Sequence, residues 1–256
     1  DPSPEAPSRM ACNQFFQGSL MDYDTVYNFG KKVDVLTFEI ELVNLDALEK
    51  LEKEGIKVYP SPSTLRRIQN KGRQKAFYKE NNLPTSNFRL FENLKTLVLH
   101  CLEGKIPLPF VWKSTEFGYD GNGVKVVRSV EDLENLPDVE CIAEDMVPFK
   151  NELAVIVVRN SKGEIKTYPV VEMKFHPEAN QVEYVICPAR IDDKVALKAR
   201  NLTLQVSEAF GHVGLLAVKM FQNQNDEILI NEVDPRTHNS GHYSIEASYT
   251  SQFENH

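Results

Sequence analysis

The chain is short of clustered positive charge. Its 256 residues carry 29 Lys and Arg against 37 Asp and Glu, a formal net charge of −8, with no basic block. Extended nucleic-acid binding needs such a block, so that class is set aside, whereas a local basic pocket for a small anion is not. No apolar run approaches the roughly 20 residues that cross a bilayer, and no membrane role is expected. No secretory signal pattern is visible. The four cysteines, Cys12, Cys101, Cys141 and Cys187, stand far apart without metal-site spacing. Free thiols are expected, and they suit a reducing cytoplasm. Internal repeats, low-complexity tracts and a Walker A string are all missing.

What is present is an ordinary globular composition, 41% hydrophobic and 26% charged, enough for one large or two smaller domains. The opening "DPSPEAPSRMACNQ" reads as surface coil, and the closing "SQFENH" breaks off inside a helical pattern, so further segments are expected at both ends. "VDVLTFEIE" (33–41) reads as a strand. Asn44 can cap a helix whose Leu45, Leu48 and Leu51 share a face, and "IKVYP" is a second strand. That β-α-β order predicts a parallel α/β pair. "PSPSTLRRIQNKGRQKAFYKENNLP" follows as one helix, weakened at Gly72. Beyond it the texture is α+β: short strands, a hairpin turning at "NSKG", an amphipathic helix ending at Gly211, and a second hairpin turning near Asn223–Asp226. A domain boundary is expected near residues 84–93.

Four places carry chemistry. The turn "KSTEFGYDGNGV" sets Lys113 before Gly118, Gly121 and Gly123, a pattern that lets backbone N–H groups approach a phosphate beside a point charge. An ordinary glycine hairpin is the rival reading. The strand end Glu144, Asp145, Met146, Val147 could offer backbone groups to a planar base and Glu152 could meet a ribose hydroxyl, although taken alone an edge strand with solvated acids is the better reading. The last hairpin makes Lys219 and Glu232 cross-strand neighbours. Asn231 and Glu232 offer oxygen to Mg²⁺, against the rival of a plain Lys219–Glu232 salt bridge. The loop after it, "NEVDPRTHNSGH", holds Arg236, whose planar fork suits an anion, with His238, Asn239 and His242.

Together "YPSPSTLRRIQNKGRQKAF", "GYDGNG", "VPFKNELAVIV", "ICPARI" and "NEVDPRTHNSGHYSIEASYTSQFENH" resemble the ATP-grasp family of N5-carboxyaminoimidazole ribonucleotide synthases of purine biosynthesis. The likeness runs over nearly the whole chain from about Val33. It implies an ATP-grasp fold, with a partial Rossmann-like (pre-ATP-grasp) domain over residues 1–85 and the ATP-grasp domain over residues 86–256. A small C-terminal domain is expected outside this sequence. It implies a ligase in which ATP converts bicarbonate to carboxyphosphate, and the amine of aminoimidazole ribonucleotide then takes the carboxyl group. ATP and Mg²⁺ are the implied cofactors, and a homodimer is expected.

Residue by residue, the resemblance places Lys71, Lys113, Gly118, Tyr119, Asp120, Gly121, Asn122, Gly123 and Val124 on the ATP phosphates or the flap above them. It places Glu144, Asp145, Met146, Val147, Glu152 and His176 around the nucleoside. Asn231 and Glu232 fall at the phosphate and metal end, with Glu232 the metal ligand. Arg236 and His238 fall at the bicarbonate, and Glu39, Glu41, Tyr119, Asn239 and His242 on the ribonucleotide. Three positions depart from the family pattern. Asn122 replaces a basic residue, Asp234 an alanine, and Lys219 a metal-binding glutamate. Two rivals follow: another ATP-grasp carboxylate–amine ligase, or a nucleotide-binding module without turnover.

Overall fold

A computed structural model describes residues 1–116, 123–175 and 182–256. The opening coil contains one helical turn, α1 (Ser8–Ala11), before helix α2 (Tyr23–Gly30). Strands β1 (Val35–Leu36) and β2 (Lys57–Val58) pair in parallel around helix α3 (Leu45–Lys53), the order expected. The Asn44 side chain caps α3 by accepting from the Ala47 N–H at 2.9 Å. Ala47, Leu48 and Leu51 then bury against Val26, Leu36, Val58 and Leu65. The first strand is much shorter than 33–41. Its partner β2 offers only two residues of pairing, so Glu39 and Glu41 follow on irregular backbone.

The single helix expected after Pro62 is two, α4 (Pro62–Ile68) and α5 (Lys71–Glu80). Gly72 is not the weak point. Asn70 makes the break, because its side chain accepts from the Arg73 N–H at 2.9 Å and caps a new helix. Gly72 sits in the first turn of α5, where a Cβ would lie 2.8 Å from Leu90 Cδ2.

Four antiparallel strands follow: β3 (Phe88–Phe91), β4 (Phe110–Ser114), β5 (Val124–Val127) and β6 (Cys141–Asp145), in the order β3-β6-β4-β5. Phe110, Trp112, Cys141 and Ala143 alternate onto one face, where helix α6 (Leu94–Leu102) contributes Leu97 and Cys101. Lys113 and Glu144 take the alternate positions and face the other way.

The larger sheet has β7 (Phe149–Arg159), β8 (Ile165–Thr167), β9 (Val171–Phe175), β10 (Val182–Ile186), β11 (Gly214–Asn223) and β12 (Ile228–Asp234). Its order is β10-β9-β7-β11-β12, with β8 on the side of β7. Both expected hairpins are present. Helix α7 (Asp193–Phe210), ended by Gly211 at φ +59°, covers one face. The main core lies there: Leu153, Val155 and Val157 of β7, Leu216, Val218 and Met220 of β11, Val195, Ala199 and Val206 of α7, and Phe77 and Tyr78 of α5. The tail is not one helix but a 3-10 turn (Asn239–Gly241) and two short turns, α8 (Ser244–Ala247) and α9 (Gln252–Asn255). All four cysteines are free. Among the described residues no helix is long and apolar enough to cross a membrane.

Core position should decide the cost of truncation. Leu216 is fully buried and Leu197 on α7 is 56% exposed. Leu216→Ala should cost about 2–5 kcal/mol in chemical denaturation, and Leu197→Ala no more than about 0.5 kcal/mol.

Candidate active site

The site begins with a slip in strand register. Lys219 pairs with Glu232, but the next residue, Met220, pairs with Ile230, so Asn231 is extra. In such a bulge two residues oppose one. Ile230 and Val233 both stay in the main core. Strict alternation would turn only one of Asn231 and Glu232 away from it. The bulge turns both toward the cleft between the two sheets, where Lys219 also points.

Three lysines meet these groups, and a fourth, Lys75, joins through Glu144. Lys219 Nζ forms an ion pair with Glu232 Oε1 and lies 3.6 Å from Asp234 Oδ2. Lys71 Nζ, from the first turn of α5, reaches the other oxygen, Glu232 Oε2, at 3.1 Å. Lys113 Nζ crosses from β4 to lie 3.0 Å from Glu144 Oε2 and 3.2 Å from Asn231 Oδ1. Lys75, one turn along α5 from Lys71, donates to Thr85 Oγ1 at 2.6 Å and Ser86 Oγ at 3.0 Å, and pairs with Glu144 Oε1 at 3.1 Å.

The electrostatics follow from burial and these pairings. Burial opposes charge on Glu232, but Lys219, Lys71 and Lys113 overcome it and hold the carboxyl well below the usual carboxylate range. Burial likewise opposes the Lys219 ammonium, yet Asp234 and Glu232 hold its pKa above the ordinary lysine value. Lys75 loses the same contest: burial pushes it down to about 8 despite Glu144. Burial pushes Glu152 up to about 7, against the pull of Lys219.

Past β12, Arg236 Nε lies 3.1 Å from Glu41 Oε1, with Glu39 and Asp234 each 3.9 Å from its fork. Two acids on the irregular stretch after β1 are thereby brought to the far end of the chain. His238 is buried. The Ser240 N–H donates to its Nδ1 at 3.1 Å, so the ring proton sits on Nε2, 3.6 Å from Asp234 Oδ2. Burial holds its pKa down to about 4, against the pull of Asp234. His238 is therefore a neutral donor near neutral pH. Gln252 clamps the loop: its Oε1 accepts from the His238 N–H at 2.9 Å and its Nε2 donates to the His238 carbonyl at 2.8 Å. Gly241 is required beside this clamp, since a side chain there would collide with Ile156 and lie 2.6 Å from Gln252 Oε1.

An ATP-grasp domain family matches residues 76–253, and the ribonucleotide synthetase preATP-grasp domain matches residues 1–69. Phosphoribosylaminoimidazole carboxylase of Candida albicans is 42% identical over 253 residues, 96% of this chain and 44% of that protein. The crystal structure of N5-carboxyaminoimidazole ribonucleotide synthetase from Thermotoga maritima matches with a TM-score of 0.89 at 39% identity, over 100% of this chain and 66% of that one. The N5-carboxyaminoimidazole synthase of Aspergillus clavatus, solved with ADP and 5-aminoimidazole ribonucleotide, matches with a TM-score of 0.90 at 33% identity, over 99% and 67%. This chain belongs to the N5-carboxyaminoimidazole ribonucleotide synthase family of ATP-grasp proteins. It spans about half the length of the fungal carboxylases it matches.

For an ATP-grasp protein magnesium is expected on Glu232, and the residues present do not fit it there. Both Glu232 oxygens carry a lysine, and the Asn231 oxygen takes Lys113. Among the described residues no group of three or more His, Cys, Asp or Glu could hold a metal ion. The expected second ligand position is an ammonium, which repels a cation. Glu232 as a metal ligand is thus corrected to Glu232 as the partner of two lysines.

Other expected residues divide clearly. Val124 opens β5 opposite Lys113, and the Gly123 carbonyl accepts from the Ser114 N–H at 2.9 Å. Asp145 and Met146 are exposed and Val147 half-buried at the strand end after Glu144. The Glu144 side chain is buried and paired with Lys75 and Lys113. Asn239 is exposed, and the exposed His242 ring stacks on Phe253 at 5.8 Å. Gly118, Tyr119, Asp120, Gly121, Asn122 and His176 lie outside the described residues. Lys75 and Gln252 were missed. Spacing from Lys71 along one helix face could have revealed Lys75; nothing local marks Gln252.

The low pKa of His238 sets an acid dependence. The unfolded chain takes a proton on this ring at about pH 6.5 and the folded chain only at about 4. Its contribution is present above pH 6.5 and is lost as pH falls toward 4, by up to about 3 kcal/mol. His238→Gln should remove that part of the slope, so the stability gap to the parent protein should narrow between pH 6.5 and 4 in denaturant titrations.

Proposed function

We propose that the chain is the ATP-using part of a synthase that carboxylates 5-aminoimidazole ribonucleotide. ATP passes its terminal phosphoryl group to bicarbonate, giving ADP and carboxyphosphate. The ribonucleotide's exocyclic amine attacks the carboxyl carbon, phosphate leaves, and the amine gives up a proton. One observation carries this reading: a continuous line of contacts runs from Lys113 through Asn231, Glu232 and Asp234 to Arg236 and His238. A polyphosphate on the lysines would thus end beside a guanidinium and a neutral imidazole. The Aspergillus relative, solved with ADP and the ribonucleotide, agrees with this ligand class.

Lys71 and Lys113, with residues 118–124, hold the phosphates. Asp145, Met146 and Val147 border the adenine, and Glu152, poised near neutrality, meets the ribose. Arg236 holds bicarbonate as a planar fork, and the Nε2–H of His238 donates to it. Glu39, Glu41, Asn239 and Tyr119 face the ribonucleotide. Phosphoryl transfer leaves the protein mainly positioning and charge stabilisation, which these cations supply. Magnesium on Glu232 forms no part of this route. Residues 1–85 act as the pre-ATP-grasp part and residues 86–256 as the ATP-grasp part, with α5 packed into the core of the second. Cytoplasmic location and homodimer formation belong to the same reading.

A second reading, nucleotide binding without turnover, is favoured by Lys219 standing between Glu232 and Asp234. ADP release by the purified protein separates the two. Release that needs both bicarbonate and the ribonucleotide supports the synthase, and Arg236→Ala should then lower kcat/KM by about 10²–10³. Release indifferent to both substrates rejects it, and a panel of other amine acceptors identifies a different ligase. ATP binding with no release under any of these conditions selects the second reading.

A further inference from the structure

Glu232 and Asp234 sit two residues apart on one face of β12, in a partly buried cleft. Two carboxylates so placed repel each other unless a cation lies between them. Here that cation belongs to the chain. Lys219 Nζ contacts Glu232 Oε1 and lies 3.6 Å from Asp234 Oδ2. Its stem starts from β11 directly opposite Glu232, so the backbone ladder fixes the pair in place. Lys71 meets the second Glu232 oxygen, and Lys113 meets Asn231.

We infer that nucleotide binding in this cleft needs no divalent cation, the ammonium of Lys219 standing in the place of one. A metal on Glu232 would have to displace Lys219 or Lys71 from its carboxylate oxygen and would sit beside their ammonium groups, which repel it. The ligand taken is then a nucleoside di- or triphosphate as the free polyanion. Its charge is met by Lys71, Lys113 and Lys219, three compact ammonium groups within one cleft. An ammonium has three N–H donors. Among the described residues, Lys219 meets only the two β12 carboxylates, which leaves a donor for a phosphate oxygen. This inference rests on the nucleotide reading above, and it differs from it in what it requires of the solvent ions.

Isothermal titration of the full chain with ATP, once in excess EDTA and once in excess MgCl₂, tests it. The expected result is a Kd in EDTA less than about tenfold weaker than in magnesium. A loss of tenfold or more in EDTA overturns the inference while leaving nucleotide binding intact. Binding in neither condition removes the nucleotide reading itself, and the inference with it. Lys219→Glu supplies the second arm: it should make ATP binding depend on magnesium, by tenfold or more. If that variant folds, as judged by circular dichroism, and binds ATP equally well in both conditions, Lys219 is not the substitute cation. If it does not fold, the comparison on the parent chain still decides.

Discussion

The extra residue at Asn231 is the constraint on which the site depends. A β-strand alternates its side chains, so a strand packed on a core can present only every second residue to the other face. Ile230 and Val233 are both held in the main core, three positions apart, which regular alternation forbids. The bulge between them resolves the conflict and delivers Asn231 and Glu232 side by side. The neighbouring strand β11 stays regular and supplies Lys219 from directly across. Shifting the pairing by one residue would bury these polar groups in the core and expose Ile230 and Val233.

Charge balance then decides which groups can face the cleft together. Glu144 receives Lys75 and Lys113; Glu232 receives Lys71 and Lys219; Asp234 shares Lys219 and lies near Arg236. Buried charges persist when each meets a partner and its remaining hydrogen-bond capacity is used. Lys75 shows the principle, donating to the Thr85 and Ser86 hydroxyls and pairing with Glu144. Glu152 shows the exception. Lys219, the cation that pulls on it most, is paired with Glu232 and Asp234, so burial prevails and the Glu152 carboxyl is pushed up to about 7.

The loop after β12 is held by chain far from it in sequence. Glu41 and Glu39 approach Arg236 from the N-terminal part, and Gln252 fastens both polar groups of the His238 backbone. A loop with Pro235 and Gly241 would otherwise sample many shapes. These anchors explain why the short turns that follow do not merge into one helix: Ser251 caps a new turn by accepting from the Glu254 N–H at 3.2 Å, and that turn supplies Gln252. The loop's composition drew attention to it, but not its support, because each anchor is a tertiary contact.

Much was readable before any coordinates. Hairpin turns, the Asn44 cap, the Gly211 stop and the opposition of Lys219 to Glu232 are local or nearest-neighbour matters, and the amino-acid order by itself determined them. The motifs likewise carried the ATP-grasp family. Other features belong to tertiary structure alone: the break at Asn70 in place of Gly72, the brevity of β1, the burial of Lys75 and Glu144, and the neutral state of His238. Each depends on what packs against the residue from elsewhere in the chain. Whether Glu232 is a metal ligand or a partner of two lysines was likewise undecidable from spacing. Lys71 lies 161 residues away in sequence, and only the folded chain brings its ammonium to the second oxygen of that carboxylate.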